Sequence, residues 1–259
     1  MLPHMPAPTI SATVITYNEE NNIRDCLESI KWVDELIVVD SFSSDRTVDI
    51  CRQYTRHVVQ RPWPGHVRQK QFALEQATGD WILSLDADER LSSEAQEEIL
   101  SETSRAADRI DGFVFPRHSY YLGRWINHGG WYPDYKLRLI RRGKGAWTGV
   151  DPHDKLCVEG ATKILKTEIL HYVYRNLSHQ LMTIDTFSAI TARHWQEQGE
   201  PFRLRSLLLR PPAKFVECYI WKKGFLDGVP GFIIAVASSF YVFLKYAKLW
   251  EARQCRPDA

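Results

Sequence analysis

The run Asp86-Ala87-Asp88-Glu89 follows directly on the apolar stretch Trp81-Ile82-Leu83-Ser84-Leu85. That stretch is short, nearly uncharged and entered through Gly79-Asp80, so it is predicted to be a buried strand. Successive side chains of an extended chain alternate, which predicts Asp86 and Asp88 on one side of the strand end. Two hard oxygen donors there suit a divalent cation that carries phosphate oxygens. The carboxyl edge of an open α/β sheet is also where such sheets bind ligands. A plainer explanation is an acidic turn before a capped helix, because Ser93-Glu94-Ala95-Gln96 has the pattern of a capping box. It accounts for Ser93 and Gln96, and not for Asp86 and Asp88.

The elements that must position these acids are legible upstream. Ile10 to Thr16 is apolar and β-branched, a first strand running into the polar turn Tyr17-Asn18-Glu19-Glu20. Ile23, Leu27 and Ile30 recur at helical spacing. A second strand, Leu36 to Val39, ends at Asp40 and opens into Ser41-Phe42-Ser43-Ser44-Asp45 before a helix through Val48 and Cys51. His57 to Gln60 is a third strand, followed by Pro62-Trp63-Pro64-Gly65 and a helix carrying Arg68, Lys70, Phe72 and Leu74. Strands without a polar face, alternating with helices, predict an α/β fold with a mostly parallel sheet covered on both sides.

Three ordered runs, Thr16-Tyr17-Asn18-Glu19, Val38-Val39-Asp40-Ser41-Phe42-Ser43-Ser44-Asp45-Arg46-Thr47 and Gly79 to Asp88, resemble the N-terminal motifs of glycosyltransferase family 2. The resemblance covers roughly the first 155 residues, and three motifs in order are far more specific than one. It implies a GT-A fold, nucleotide-sugar donors and inversion at the anomeric carbon. It implies that Thr16, Tyr17 and Glu19 line the nucleotide cleft with Asp86 and Ala87. Asp40 then accepts from the N3–H of uracil, and Arg68 approaches the base or phosphates. Asp40 and Asp45 also suit helix capping, the role expected for Asp45. Arg68 and Lys70 also suit a solvated helix face. Ser41-Phe42 stands where the family usually has Asp-Gly.

Gly112 to Pro116 predicts another strand, and the chain then turns aromatic, with Tyr120, Tyr121, Trp125, Trp131, Tyr132, Tyr135 and Trp147. Such rings suit sugar faces, and core packing is expected to claim about half of them. Trp131 to Leu139 and Gly149-Val150-Asp151-Pro152-His153-Asp154 resemble the acceptor half of bacterial envelope members, including lipopolysaccharide inner-core β-1,4-glucosyltransferases. There the second run usually ends His-Glu. Inverting transfer needs one general base for the acceptor hydroxyl. Asp154 is the candidate, with Asp151 behind it and His153 beside it. The leaving diphosphate needs positive charge, expected from a divalent metal (Mg2+ or Mn2+) at Asp88 and Asp86 and from Arg138. His171 falls where related GT-A enzymes sometimes place an extra metal or phosphate ligand, although a lone histidine is more often structural.

Composition frames these sites. The 259 residues are 44% hydrophobic and 25% charged, ordinary for a folded chain and against disorder. Five scattered cysteines without a Cys-x-x-Cys pair read as reduced cytosolic thiols. No basic start followed by an apolar run suggests a signal peptide. The net charge of +1 hides an asymmetry: from Pro201 onward ten basic residues face four acidic ones, leaving the first 200 residues net acidic. A basic, apolar tail points to an anionic membrane surface rather than nucleic acid. The uncharged run Val229 to Leu244 falls short of a bilayer span, which favours a segment lying on the inner leaflet, with a helix hairpin packed on the body or on a twin subunit in a homodimer as the alternative.

The expected organisation is a GT-A domain over 1-200, with a nucleotide-sugar half at 10-110 and an acceptor half at 111-200, and a C-terminal helical segment over 201-259. The expected activity is transfer of a hexose, glucose first, from a UDP-sugar to a lipopolysaccharide-core or other lipid-linked acceptor at the cytosolic face of a bacterial inner membrane. A polyprenyl-phosphate sugar transferase is the enzymatic alternative. A non-catalytic nucleotide-sugar-binding protein is the alternative of another class.

Overall fold

The computed structural model describes residues 7–106, 109–151 and 153–254. In chain order the elements are β1 (Ile10–Thr16), α1 (Ile23–Ile30), β2 (Glu35–Asp40), α2 (Thr47–Cys51), β3 (Val58–Gln60), α3 (His66–Glu75), β4 (Trp81–Asp86), β5 (Glu89–Leu91) and α4 (Ser93–Arg105). There follow β6 (Gly112–Tyr121), β7 (Arg124–Trp125), β8 (Asp134–Arg141), β9 (Gly145–Val150), β10 (His153–Val158), β11 (Thr162–Ile164), β12 (Ile169–His171), α5 (Leu177–Glu197), α6 (Leu204–Val216) and α7 (Gly228–Gln254). The chain divides into two compact units, residues up to Arg117 with Tyr135–Tyr172, and His118–Asp134 with Val173 onward. Helix α5, expected within the domain over 1-200, lies in the second unit, where it packs with α7.

In the first unit β3, β2, β1 and β4 run parallel in that order, and β8 joins β4 antiparallel through Leu83↔Leu139 and Ile82↔Ile140. Alternate residues of the same strands feed two separate cores. Ala12, Val14, Val38, Leu83 and Leu85 pack with α1 residues such as Leu27, whereas Ile15, Ile37, Val39 and Ile82 pack with Ala73 and Leu74 of α3. That explains the strands without a polar face: both faces are covered. Each fully buried Leu or Ile contributes roughly 1.5–3 kcal/mol by leaving water. The turn after β4 corrects one expectation. β4 ends at Asp86, and Ala87-Asp88 form a turn before β5, so the two acids do not share an extended strand. The N-cap of α4 is Ser92, whose hydroxyl accepts from Ala95 N, one residue before the expected box.

In the second unit α7 packs against α5 and α6. It runs 27 residues, well past Leu244, and within Gly224–Gln254 it is long and apolar enough, by length and composition, to cross a bilayer. Lys245 does not interrupt it, since its ammonium lies 4.5 Å from the Tyr241 ring and 5.3 Å from the Trp195 ring. Ile234, Ala235 and Leu249 are buried, whereas Phe232, Val236, Phe240, Phe243 and Trp250 form an exposed stripe at helical spacing.

Candidate active site

Helix α3 delivers the residue at the centre of the site. Its first turn has no side-chain cap of its own; the Asp151 carboxylate, from the turn after β9, accepts the Val67 N–H at 3.2 Å instead. A carboxylate suits the positive end of a helix. Gly65 makes the approach feasible, because its φ of 105° favours glycine and a Cβ there would stand 2.0 Å from Asp151 Oδ2. Asp151, expected behind the catalytic base, is thus a helix cap. Pro152 beside it lies outside the described residues.

With α3 so placed, Lys70 is buried and its Nζ lies 2.7 Å from Asp86 Oδ1 and 2.8 Å from Asp154 Oδ2. The ammonium also lies 4.6 Å from the Trp147 ring, a cation–π contact from β9. Arg138, on β8 beside β4, donates to Asp86 Oδ2 and Glu89 Oε1, both at 2.7 Å, and Arg117 reaches Glu89 at 3.1 Å. Burial alone would raise the Asp86 carboxyl, yet Lys70, then Arg138 and Arg117, hold it well below the usual carboxylate range. For Arg138 burial works against the charge, and Glu89 and Asp86 outweigh it, holding the guanidinium above its ordinary value.

Several expected residues take different places. Arg138 is 3% exposed and engaged with two acids, Asp86 and Glu89. Arg68 lies on the exposed face of α3, and Lys70, two positions on, is the α3 cation that reaches Asp86 and Asp154. Asp40 is fully buried: its carboxylate accepts from Ser43 N at 2.9 Å, Gln60 Nε2 at 3.0 Å and the Ser43 hydroxyl. In this conformation it holds the loop after β2. Asp45 accepts from Thr47 N at the start of α2, as its capping role predicts. Glu19 lies in the loop that starts α1, its carbonyl accepting from Ile23 N and its carboxylate from the Asn22 amide. Thr16 and Ala87 are buried, Tyr17 is exposed at the end of β1, and His153 is exposed beside Asp154.

The sequence offered no way to nominate Glu89, although it stands in the acidic run; only the fold buries it completely against two arginines. Phe42 has φ 58° and a half-exposed ring, a conformation glycine adopts freely and a bulky residue holds at a cost of about 1–3 kcal/mol. Of the aromatic set, Tyr121 and Trp147 are buried and Tyr135 is exposed. Thr16 Oγ1 and Trp147 Nε1 are buried without a hydrogen-bond partner among the described residues.

For a divalent metal, the donors that fit are Asp88 and His171. Asp88 Oδ2 lies 3.4 Å from His171 Nε2, the two brought together by the β5–β12 pairing. Two cis donors each about 2.1 Å from an octahedral ion lie roughly 3 Å apart, so this spacing suits shared ligation. Asp86 is the member that does not fit, since both its oxygens are held by cations. Among the described residues no three acidic, His or Cys side chains converge on one point, so a metal here would complete its shell with phosphate oxygens and water.

The model of the family described as glycosyl transferase family 2 matches residues 11–160. The chain is also 33% identical to the lipopolysaccharide core biosynthesis glycosyltransferase LpsC of Rhizobium meliloti, over 100% of this chain and 97% of that protein. The chain belongs to glycosyl transferase family 2. This family 2 chain is therefore a glycosyltransferase, and its α/β architecture is the GT-A fold. A mannosyltransferase from Pyrobaculum calidifontis, solved with GDP-Man and Mn2+, superposes with a TM-score of 0.55 at 14% identity, covering 95% of this chain and 88% of that one. TarS of S. aureus, solved with UDP-GlcNAc, gives 0.51 at 15% identity, covering 95% and 92%. At such identities the likeness speaks for the fold.

Proposed function

We propose that the enzyme moves a hexose, glucose first, from a UDP-sugar to a lipopolysaccharide-core or other lipid-linked envelope acceptor, with inversion and with a divalent metal (Mg2+ or Mn2+) on the donor diphosphate. The observation that carries this is the Lys70 ammonium joining Asp86, at the end of the donor strand, to Asp154, on the acceptor-side hairpin. Full-length identity to a protein named for lipopolysaccharide core biosynthesis supports the acceptor class.

In the transfer the acceptor oxygen attacks the anomeric carbon, the bond to the diphosphate breaks, and Asp154 takes the hydroxyl proton. Lys70 holds Asp154 Oδ2 and thereby fixes the carboxylate; Oδ1 has no hydrogen-bond partner among the described residues and is the oxygen assigned to that proton. Asp88 and His171 would hold the metal, which when bound neutralises charge developing on the leaving diphosphate. Thr16, Tyr17, Ala87 and Trp147 would frame the nucleotide sugar.

We place the enzyme on the cytosolic face of a bacterial inner membrane, held there by the C-terminal unit. The exposed α7 stripe and the exposed Leu208, Leu209 and Trp221 form more apolar surface than scattered single residues would, and basic residues flank it. A homodimer through the same face would bury the same rings, and sedimentation over a concentration series separates the two.

The deciding assay incubates the purified chain with labelled nucleotide sugars and either core glycolipid or polyprenyl phosphate, with and without Mn2+. Transfer from a UDP-hexose to core glycolipid is expected. Transfer to polyprenyl phosphate alone establishes the alternative acceptor class. Turnover that is equal in metal and in chelator removes the metal.

A further inference from the structure

The C-terminal unit contains a cleft of about 620 Å³ between the end of α5, the start of α6 and α7. Arg203, Arg205 and Arg210 line it, together with Trp195, Tyr246 and Leu209. Among the described residues none of the three arginines has an acidic partner, whereas Lys214 and Lys248 nearby do, in Glu217 at 3.0 Å and Asp185 at 2.6 Å. Glu200 is the acid on the lining, and its backbone carbonyl accepts from Arg253. Arg210 lies 5.4 Å from the Tyr246 ring, and Trp195 packs against Tyr246 in a tilted arrangement with centroids 5.2 Å apart. Burial, then Lys214 and Arg210, lower Lys245, a sign of uncompensated positive charge.

Three guanidinium forks lining one cleft without an ion pair among the described residues leave it net positive even with Glu200 on its wall, and the planar fork matches phosphate oxygens. Helix α6 also starts here with no acidic residue in its first turn and no side-chain cap, adding its positive end. A second feature identifies what the anion is attached to. Leu204 and Leu208, one turn apart, and Leu209 are each at least 60% exposed, on the same helix as Arg205 and Arg210. A polar anionic head beside an apolar stem is the chemistry of a lipid phosphate.

We propose that this cleft binds the phosphate headgroup of an anionic membrane lipid, with its acyl chains along Leu204, Leu208 and Leu209. The inference rests on the reading that the C-terminal unit meets a bilayer. It adds a specific headgroup site to general surface attraction.

The test uses the full chain, with vesicles of phosphatidylcholine alone or mixed with phosphatidylglycerol, and soluble glycerol phosphate as competitor. Arg205→Gln with Arg210→Gln should weaken binding to the mixed vesicles by roughly 30-fold, since each basic side chain at an anionic surface contributes about fivefold, and leave binding to phosphatidylcholine unchanged. Lys222→Gln with Lys223→Gln removes the same charge outside the cleft and should weaken binding less. Equal loss in both pairs means diffuse attraction and overturns the site. In the parent chain, phosphatidylglycerol vesicles should slow amide exchange across residues 195–210; bound protein without that protection overturns it too. Release by soluble glycerol phosphate overturns the lipid assignment. Equal parental binding to both vesicles defeats this inference while leaving the membrane reading intact, and no binding to either defeats both.

Discussion

Lys70 donates to Asp154 at 2.8 Å from a helix that is itself capped by Asp151, three residues before Asp154 in the chain. The turn between β9 and β10 therefore sets both the helix that carries the ammonium and the carboxylate it holds. Lys70→Met should lower transfer by about 10²–10³-fold, because Asp154 loses its fixed orientation. Removing one partner from a mostly buried ion cluster should also destabilise the fold by about 3 kcal/mol. Parental turnover in this variant would show the bridge to be incidental.

The metal assignment predicts that Asp88→Ala and His171→Ala each abolish the Mn2+-dependent part of UDP binding and leave metal-free binding alone. Calorimetry with and without chelator measures it. An Asp88→Ala chain with unchanged Mn2+ dependence would move the metal elsewhere.

Asp40→Asn should lower stability by about 1–3 kcal/mol, since an amide cannot accept from Ser43 N, Ser43 Oγ and Gln60 Nε2 together. UDP and GDP affinities should then fall alike. A loss confined to UDP would mean that Asp40 turns to the base when donor binds.

Acidification should destabilise the fold in two steps. Burial, then Lys70, lower His66 from 6.5, so the unfolded chain takes that proton first and stability falls as pH drops below that value. Asp86 is held far below 3.8, so its contribution is complete above that value and is lost as pH falls through the folded pKa. Chemical denaturation across pH should show the first step vanish in His66→Gln and the second in Asp86→Asn. Stability that rose on acidification would reverse both signs.

Much of the fold was legible because covering both sheet faces leaves a plain mark, apolar strands with no polar face, as in Leu36 to Val39. The site was legible as a list of residues without their pairings. Arg68 and Lys70 look alike in the sequence, and they point to opposite sides of α3, whose buried residues include Gln69 as well as Lys70, so no apolar stripe told which side faces in. Asp86 and Asp88 were expected together because strand alternation was carried two residues past the end of β4. The length of α7 was underestimated at Lys245, a charge whose stem and ammonium are covered by rings.

The role of Asp154 as base is measured directly by single-turnover transfer in Asp154→Asn beside Asp151→Asn, with donor affinity measured in parallel. The amide is nearly isosteric and cannot take a proton at neutral pH. Transfer by Asp154→Asn should be slower by about 10²–10⁴-fold at unchanged donor affinity. Asp151→Asn should lose some stability at the α3 cap and keep most of its rate. Transfer at the parental rate by Asp154→Asn, or its abolition by Asp151→Asn alone, would mean that Asp154 is not the base.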